Sequence, residues 1–420
     1  MNSLNILHIN NCSGLGGAFI AAYNLHQGLS KAGIQSFFAY KYEINGVFQE
    51  KANDLKNTVQ IVQRKNQFVD LANSITRRMG LNYVANPSIA DLKHQACYQN
   101  AALLNFHLLH DDYFSYLMLP SLTRDKPAVY TLHDMWSFTG HCAYSYDCSK
   151  WQTGCGKCPY PNALPPIQRD ATSLEWKLKN WVYQHSNLTI VPPSRWLAEC
   201  AKQSMLKCFP IHHISYGIDT VAYQPLDQQQ CQSELGIPQQ KKVLIFGAQD
   251  MRNRRKGGDL LLKALSCIPK SLKAETVLLT FGDEAKAILN AAEIEVLHLG
   301  YMSSDRLKAI AYSAADLFLF PTRADVCGLV GLEAAACGTP TVAFNVGGVP
   351  DYVRPGITGY LAKPEDADDF CNGIVQLLED VNLRNRMSQN CRKVAIEEYS
   401  LEVQAQQYIQ LYQQILNQYG

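Results

Sequence analysis

Short runs rich in Val, Ile, Leu and Phe alternate with stretches of helical period along most of the chain. Leu4–Asn10 reads as a buried strand, Gly17–Lys31 as an amphipathic helix and Gln35–Tyr42 as a second strand. Further strands are predicted at Ala128–His133, Leu188–Val191, Ile211–Ser215, Lys242–Gly247, Thr276–Phe281, Val296–Leu299, Leu317–Phe320 and Thr341–Phe344. Strands that are apolar throughout, with helices between them, predict parallel sheets covered on both faces, an α/β fold. Turn residues at Tyr216–Pro225 close one such block, and Lys241–Gly247 opens another. The expected division is 1–215, 216–399 and a C-terminal helix over 400–420, whose Ser400 can cap it.

Composition narrows the class. The 420 residues, 47% hydrophobic and 18% charged, fit two or three domains and exclude a disordered or collagen-like chain. No apolar run reaches the roughly 18 residues of a membrane helix, and the N-terminus lacks a basic leader, so a cytoplasmic protein is expected. The net charge of +1 hides an asymmetry: residues 1–215 hold 19 Lys and Arg against 13 Asp and Glu, and the remainder holds 19 against 24. Such an excess attracts an anionic partner or a membrane surface, or is simply a set of solvated faces. Nothing resembles the dense basic stripe of a nucleic-acid binder.

Open α/β sheets bind ligands just past the C-terminal ends of their strands. Gly14, Gly16 and Gly17 precede the first helix, but Phe19 stands where a dinucleotide fingerprint has its third glycine, which argues against nicotinamide. His133 and Asp134 follow the strand ending VYTL. Arg252-Asn253-Arg254-Arg255-Lys256-Gly257-Gly258, at a strand-to-helix junction, suits a diphosphate. Asp325 and Glu333, eight positions apart, suit a polyhydroxylated ligand. Of fourteen cysteines, Cys142, Cys148, Cys155 and Cys158 fall in a C-x5-C-x6-C-x2-C pattern. A structural zinc site, reduced packed thiols and disulfides are the readings of that cluster; four thiolates would leave no open position for catalysis.

The stretch FPTRADVCGLVGLEAAACGTPTVAFNVGG resembles the C-terminal signature of retaining GT-B glycosyltransferases of family four, E-x7-E in the context E-x-F-G-L-x-x-L-E-A-x-A-x-G-x-P-V-V-A. The resemblance extends to GGVPDYV, GITGYLAKPED, Lys256-Gly257, Gly16-Gly17 and His133, and is looser across residues 44–125. It implies two Rossmann-like domains with a cleft between them: 1–215 on the acceptor side, 216–399 binding the nucleotide-sugar donor, and the last helix packing back on the first domain. By resemblance, Lys256 and an arginine of the basic loop, Arg252 among them, bind the diphosphate. Asp325 meets donor sugar hydroxyls, Glu333 the ribose, and the amides of Cys327, Gly328, Leu329 and Val330 approach the sugar and diphosphate. Gly16 and Gly17 let the first domain close on the donor, and His133 lies beside the reacting sugar. Three positions depart from the pattern: Asp325 replaces a Glu, Cys327 a Phe, and Ala248 the usual arginine. The implied activity is retaining transfer of a sugar from a nucleotide diphosphate sugar, without a catalytic metal, to a glycan or lipid-linked glycan of surface polysaccharide or glycolipid synthesis. Peripheral contact with the inner face of the membrane through the first domain accompanies it. The alternatives are a nucleotide-sugar epimerase of the same fold and a non-catalytic sugar-nucleotide binder.

Overall fold

A computed structural model describes residues 4–11, 16–40, 57–61, 67–85, 87–110, 113–250, 253–283 and 293–419. The chain forms two units, 1–217 with 404–420 and 218–403. In unit 1, β1 (Asn5–Ile9), β2 (Gln35–Tyr40), β3 (Thr58–Gln60), β4 (Leu103–Phe106), β5 (Ala128–Thr131) and β6 (Thr189–Val191) pair in parallel in the order β3-β2-β1-β4-β5-β6. In unit 2, β7 (Lys242–Asp250), β8 (Thr276–Asp283), β9 (Glu295–His298), β10 (Leu317–Phe320), β11 (Thr341–Phe344) and β12 (Gly359–Ala362) pair in parallel in the order β12-β11-β10-β7-β8-β9. Both are doubly wound orders with one reversal each, between β1 and β4 and between β7 and β10, where ligand crevices form at the strands' C-terminal ends.

The helices that matter below are α1 (Gly17–Lys31), α2 (Gln67–Arg78), α3 (Thr172–Gln184), α4 (Gly258–Cys267), α5 (Asp305–Ala314), α6 (Leu329–Ala336), α7 (Ala367–Glu379), α8 (Val381–Tyr399) and α9 (Leu401–Tyr419). Helix α1 forms where Phe19, Ala22, Leu25 and Leu29 recur at helical spacing, and all four are buried. Leu25 and Leu29 join Ile6, Leu103, Val129 and Val191 in the unit 1 core. That core is completed from the far end of the chain by Tyr408, Leu411 and Tyr412 of α9. The α9 phenols are satisfied there: Asn105 Nδ2 donates to Tyr412 Oη at 2.7 Å, and Tyr408 Oη lies 3.0 Å from Thr131 Oγ1. In unit 2, Leu261 and Leu265 of α4 and Phe370 and Ile374 of α7 pack on Leu244, Leu319, Val342 and Phe344.

The predicted strand Ile211–Ser215 is not one. It passes β6 for a single bridge, Ile211 with Ile190, and then exposes His212 and His213.

Candidate active site

The richest cluster lies in unit 2, where β7 and β10 end side by side. Asn253 accepts the N–H of Arg255 at 3.0 Å and starts a short turn, Arg254–Lys256, that ends on Gly257. Gly257 has φ +72°, and a Cβ there would stand 1.8 Å from the Pro321 carbonyl oxygen, so only glycine brings the basic loop against the end of β10. From that loop Arg255 Nη1 donates to Asp325 Oδ2 at 3.0 Å and to the Ala324 carbonyl at 2.9 Å, while Lys256 Nζ approaches Asp325 Oδ2 at 3.4 Å. Gly348 N–H donates to the Asp325 carbonyl at 3.0 Å, and the Cys327 N–H donates to its Oδ1 at 3.3 Å. Gly347, at φ +52°, leaves no room for a Cβ, which would sit 2.2 Å from the Asp325 carbonyl oxygen.

Electrostatics follow from this packing. Burial alone would raise the Asp325 carboxyl, but the charges of Lys256 and Arg255, with hydrogen bonds from Arg255 and Cys327, hold it below its usual value. Desolvation, with repulsion from Arg255, pushes the Lys256 ammonium down to about 8, although Asp325 opposes the shift. The site therefore holds a buried carboxylate beside a cation that is easily discharged. Gly328 caps α6, whose first turn presents the Leu329 and Val330 amides toward the same strand end.

Glu333, one turn further along α6, is 3% exposed and occupies a different set of contacts. Tyr312 Oη of α5 donates to Glu333 Oε2 at 3.0 Å, and Lys308 Nζ lies 3.7 Å from Oε1. Burial would lower the Lys308 ammonium, but the charges of Glu333 and Asp305 raise it. Arg255, Lys308 and Tyr312 were not singled out by spacing. Arg255 was legible only as one cation of four, and the α5 pair carries no motif. Arg252 lies outside the described residues.

In unit 1, Gly16 caps α1 in extended conformation and Gly17 begins it; Cys12 to Leu15 lie outside the described residues. His133 stands after β5, as expected, but both ring nitrogens have protein partners. Nε2 lies 3.0 Å from His107 Nδ1, and Nδ1 lies 2.7 Å from Tyr216 Oη. His107 Nε2 in turn lies 2.9 Å from His8 Nδ1, so three imidazoles, in β1 and just past the neighbouring β4 and β5, form one buried chain. Desolvation pushes His133 down to about 4 and lowers His107 and His8 as well, so the chain is neutral. Asp134 accepts from His110 Nε2 at 2.9 Å and from the Trp136 N–H at 2.8 Å.

Cys142, Cys148, Cys155 and Cys158 line one cavity of about 20 Å3. Among the described residues, however, no group of three or more His, Cys, Asp or Glu side chains stands where it could hold a metal ion. His141 Nδ1 donates to the Pro165 carbonyl at 2.9 Å, which leaves Nε2 to accept from Cys158 Sγ at 3.2 Å. Gly140 N–H donates to Cys155 Sγ at 3.2 Å. Burial pushes the Cys142 thiol up to about 12 and Cys155 up to about 11. The arrangement does not fit the expected zinc ligand set.

Residues 227–394 match the family model of glycosyl transferases group 1. A putative colanic acid biosynthesis glycosyl transferase of Escherichia coli is 27% identical over 81% of this chain and 83% of its own length. Among solved structures, a sucrose-phosphate synthase of Thermosynechococcus elongatus superposes with a TM-score of 0.72 at 20% identity, over 98% of this chain and 99% of the other. Anabaena HepE in complex with UDP-glucose gives 0.70 at 16% identity, over 97% and 99%.

Proposed function

We propose that the chain, whose residues 227–394 match the model of the group 1 glycosyl transferases and whose two units have the Rossmann-like sheets of the GT-B fold, moves a sugar from a nucleotide diphosphate sugar to an acceptor hydroxyl, with retention of configuration. The acceptor in this reading is a growing surface polysaccharide or glycolipid, supported by the likeness to a colanic acid enzyme over most of both lengths. Both units carry the reading, unit 2 as donor-binding domain and unit 1 as acceptor domain.

In the reaction the bond from the anomeric carbon to the diphosphate breaks, a bond to the acceptor oxygen forms, and the acceptor proton leaves with the diphosphate. Negative charge builds on the leaving group and positive charge on the sugar. Lys256 and Arg255 neutralise the former, helped by the Leu329 and Val330 amides at the start of α6. These groups supply that neutralisation without a divalent metal. The Asp325 carboxylate accepts from sugar hydroxyls and stabilises positive charge near the anomeric carbon, and Glu333 accepts from the ribose. His133 is assigned no base role, because its two nitrogens are engaged by His107 and Tyr216 and its conjugate acid forms only near pH 4.

The observation that carries the proposal is the buried Asp325 carboxylate held by Lys256 and Arg255 at the β7/β10 reversal. The test is nucleotide release from a panel of nucleotide sugars, UDP-glucose first, with and without glycan acceptors, and the anomeric configuration of the product by NMR. Release that depends on acceptor, with retained configuration, is expected. Release that needs no acceptor indicates the epimerase instead.

A further inference from the structure

A second constellation stands in unit 1. His110 lies just past β4 and Asp134 just past β5, so both occupy the C-terminal ends of two paired strands, the edge where such sheets bind ligands. His110 Nε2 donates to Asp134 Oδ2 at 2.9 Å, and the other oxygen, Oδ1, accepts the Trp136 N–H at 2.8 Å. Burial alone would raise the Asp134 carboxyl, but His110 and the Trp136 N–H hold it below its usual value. A carboxylate only accepts, so it fixes a proton on Nε2 of the imidazole. Nδ1 is enclosed and has no hydrogen-bond partner among the described residues. A second N–H there would be a buried donor facing nothing, so Nδ1 carries a lone pair.

Trp136 supplies the opposite half. Its indole is 1% exposed, and Nε1, a donor, has no partner among the described residues. The His110 and Trp136 ring centroids are 5.4 Å apart, and the Tyr83 ring stands 6.3 Å from the first and 5.8 Å from the second. Lys179 Nζ, 3.5 Å from the Trp136 ring centroid, also donates to the Trp136 carbonyl at 2.7 Å and holds the residue in place. An unpaired acceptor and an unpaired donor on neighbouring rings match a group that both donates and accepts, which is what a hydroxyl does. Aromatic walls with a few oriented polar atoms make a small-ligand site. We propose that His110, Trp136 and Tyr83 form a saccharide subsite, in which His110 Nδ1 accepts from a hydroxyl of the acceptor and Asp134 is the positioning residue that fixes the imidazole tautomer. The contact binds and orients; no proton is transferred in it. The subsite rests on the transfer reading only in naming its ligand as the acceptor.

Asp134→Asn separates this role from a structural one. The amide oxygen keeps the Trp136 N–H, while the amide nitrogen donates where Oδ2 accepted, so Nε2 must accept and the proton moves to Nδ1. Nitrogen NMR of the full chain with isotope-labelled histidine reads the tautomer, and His110→Gln assigns the signal by its loss. Methyl β-D-galactoside and methyl β-D-glucoside are the probes. Wild type should show the proton on Nε2 and a glycoside-dependent shift of the Nδ1 resonance; Asp134→Asn should show the proton on Nδ1 and no such shift. With a glycan acceptor that supports nucleotide release, both variants should raise the acceptor KM about tenfold or more and leave nucleotide-sugar affinity unchanged. A His110 signal that neither glycoside moves, or an acceptor KM unchanged in both variants, overturns the proposal and leaves the unpaired atoms to internal water. A wild type without acceptor-dependent release defeats the transfer reading instead, and the glycoside titration still decides the subsite.

Discussion

Lys256 and Asp325 oppose each other across the end of one sheet, and each is shaped by the other. Asp325 remains a carboxylate in a buried place because two cations and an amide hold it. Lys256 is brought down to about 8 because its desolvation and the neighbouring Arg255 outweigh the attraction of Asp325. The sign of the resulting pH dependence is definite. If Lys256 binds the donor diphosphate as proposed, its ammonium, charged below about 8, grips the anion, and as pH rises through that value the charge is lost and donor affinity should fall. Because the bound diphosphate favours the charged form, protons are taken up on binding near pH 8, which calorimetry in buffers of different ionisation heat will detect. Lys256→Arg should flatten the profile, and a wild-type affinity that is constant through this range would contradict it. Glu333 supplies a second check at the same scale. Glu333→Ala should weaken donor binding by about 1.5–3 kcal/mol, the usual worth of a hydrogen bond to a charged group. Unchanged affinity in a folded variant removes Glu333 from the donor site.

Elements were legible where their pattern was uniform. Leu317–Phe320 and Thr341–Phe344 have the predicted bounds because their apolar residues run almost without interruption, and Gly17–Lys31 because its apolar residues keep helical spacing. Strand β4 was not singled out: Asn105 breaks its run, and only the Tyr412 and Thr131 hydroxyls, 307 and 26 positions away, explain why an amide is buried there. Strand β12 was read only as part of a motif, since it opens on a glycine. Candidate-site residues on one strand-to-helix junction were visible as local motifs. The His8–His107–His133 chain was not, because its members meet only once the strand order is known. The cysteine loop before α3 shows the limit of spacing: four thiols line one cavity, yet among the described residues no three ligands stand where they could share a metal ion. Cys142 and Cys155 should therefore resist a thiol reagent at mildly alkaline pH until the chain unfolds, while the exposed Cys208 and Cys267 react at once. Stoichiometric zinc in the purified protein would overturn this.

At the scale of the whole molecule, unit 1 is built from both ends of the sequence. The polypeptide leaves it at residue 217, builds unit 2, and returns at 404 to insert α9. The helical period of 400–420 is visible in the sequence, but the docking surface, drawn from β1, β4, β5, β6 and α1, is not local and could be supplied only by resemblance. Tyr408, Leu411 and Tyr412 are each at most 4% exposed, and losing such side chains costs about 1.5–3 kcal/mol apiece against a total stability of about 5–15 kcal/mol. A chain ended at residue 403 should lose the unfolding transition of unit 1 in calorimetry and keep that of unit 2. No helix among the described residues is long and apolar enough to cross a membrane.

The most direct measurement is a titration of nucleotide sugar into wild type and Asp325→Asn, followed by acceptor-dependent turnover of each. Asn preserves size and the Cys327 contact but removes the charge that faces Lys256 and Arg255. Wild type should bind the donor and release nucleotide only with acceptor, and Asp325→Asn should retain the nucleotide while losing most turnover. Wild-type turnover in the folded variant would contradict the assignment of sugar transfer to this strand-to-helix junction.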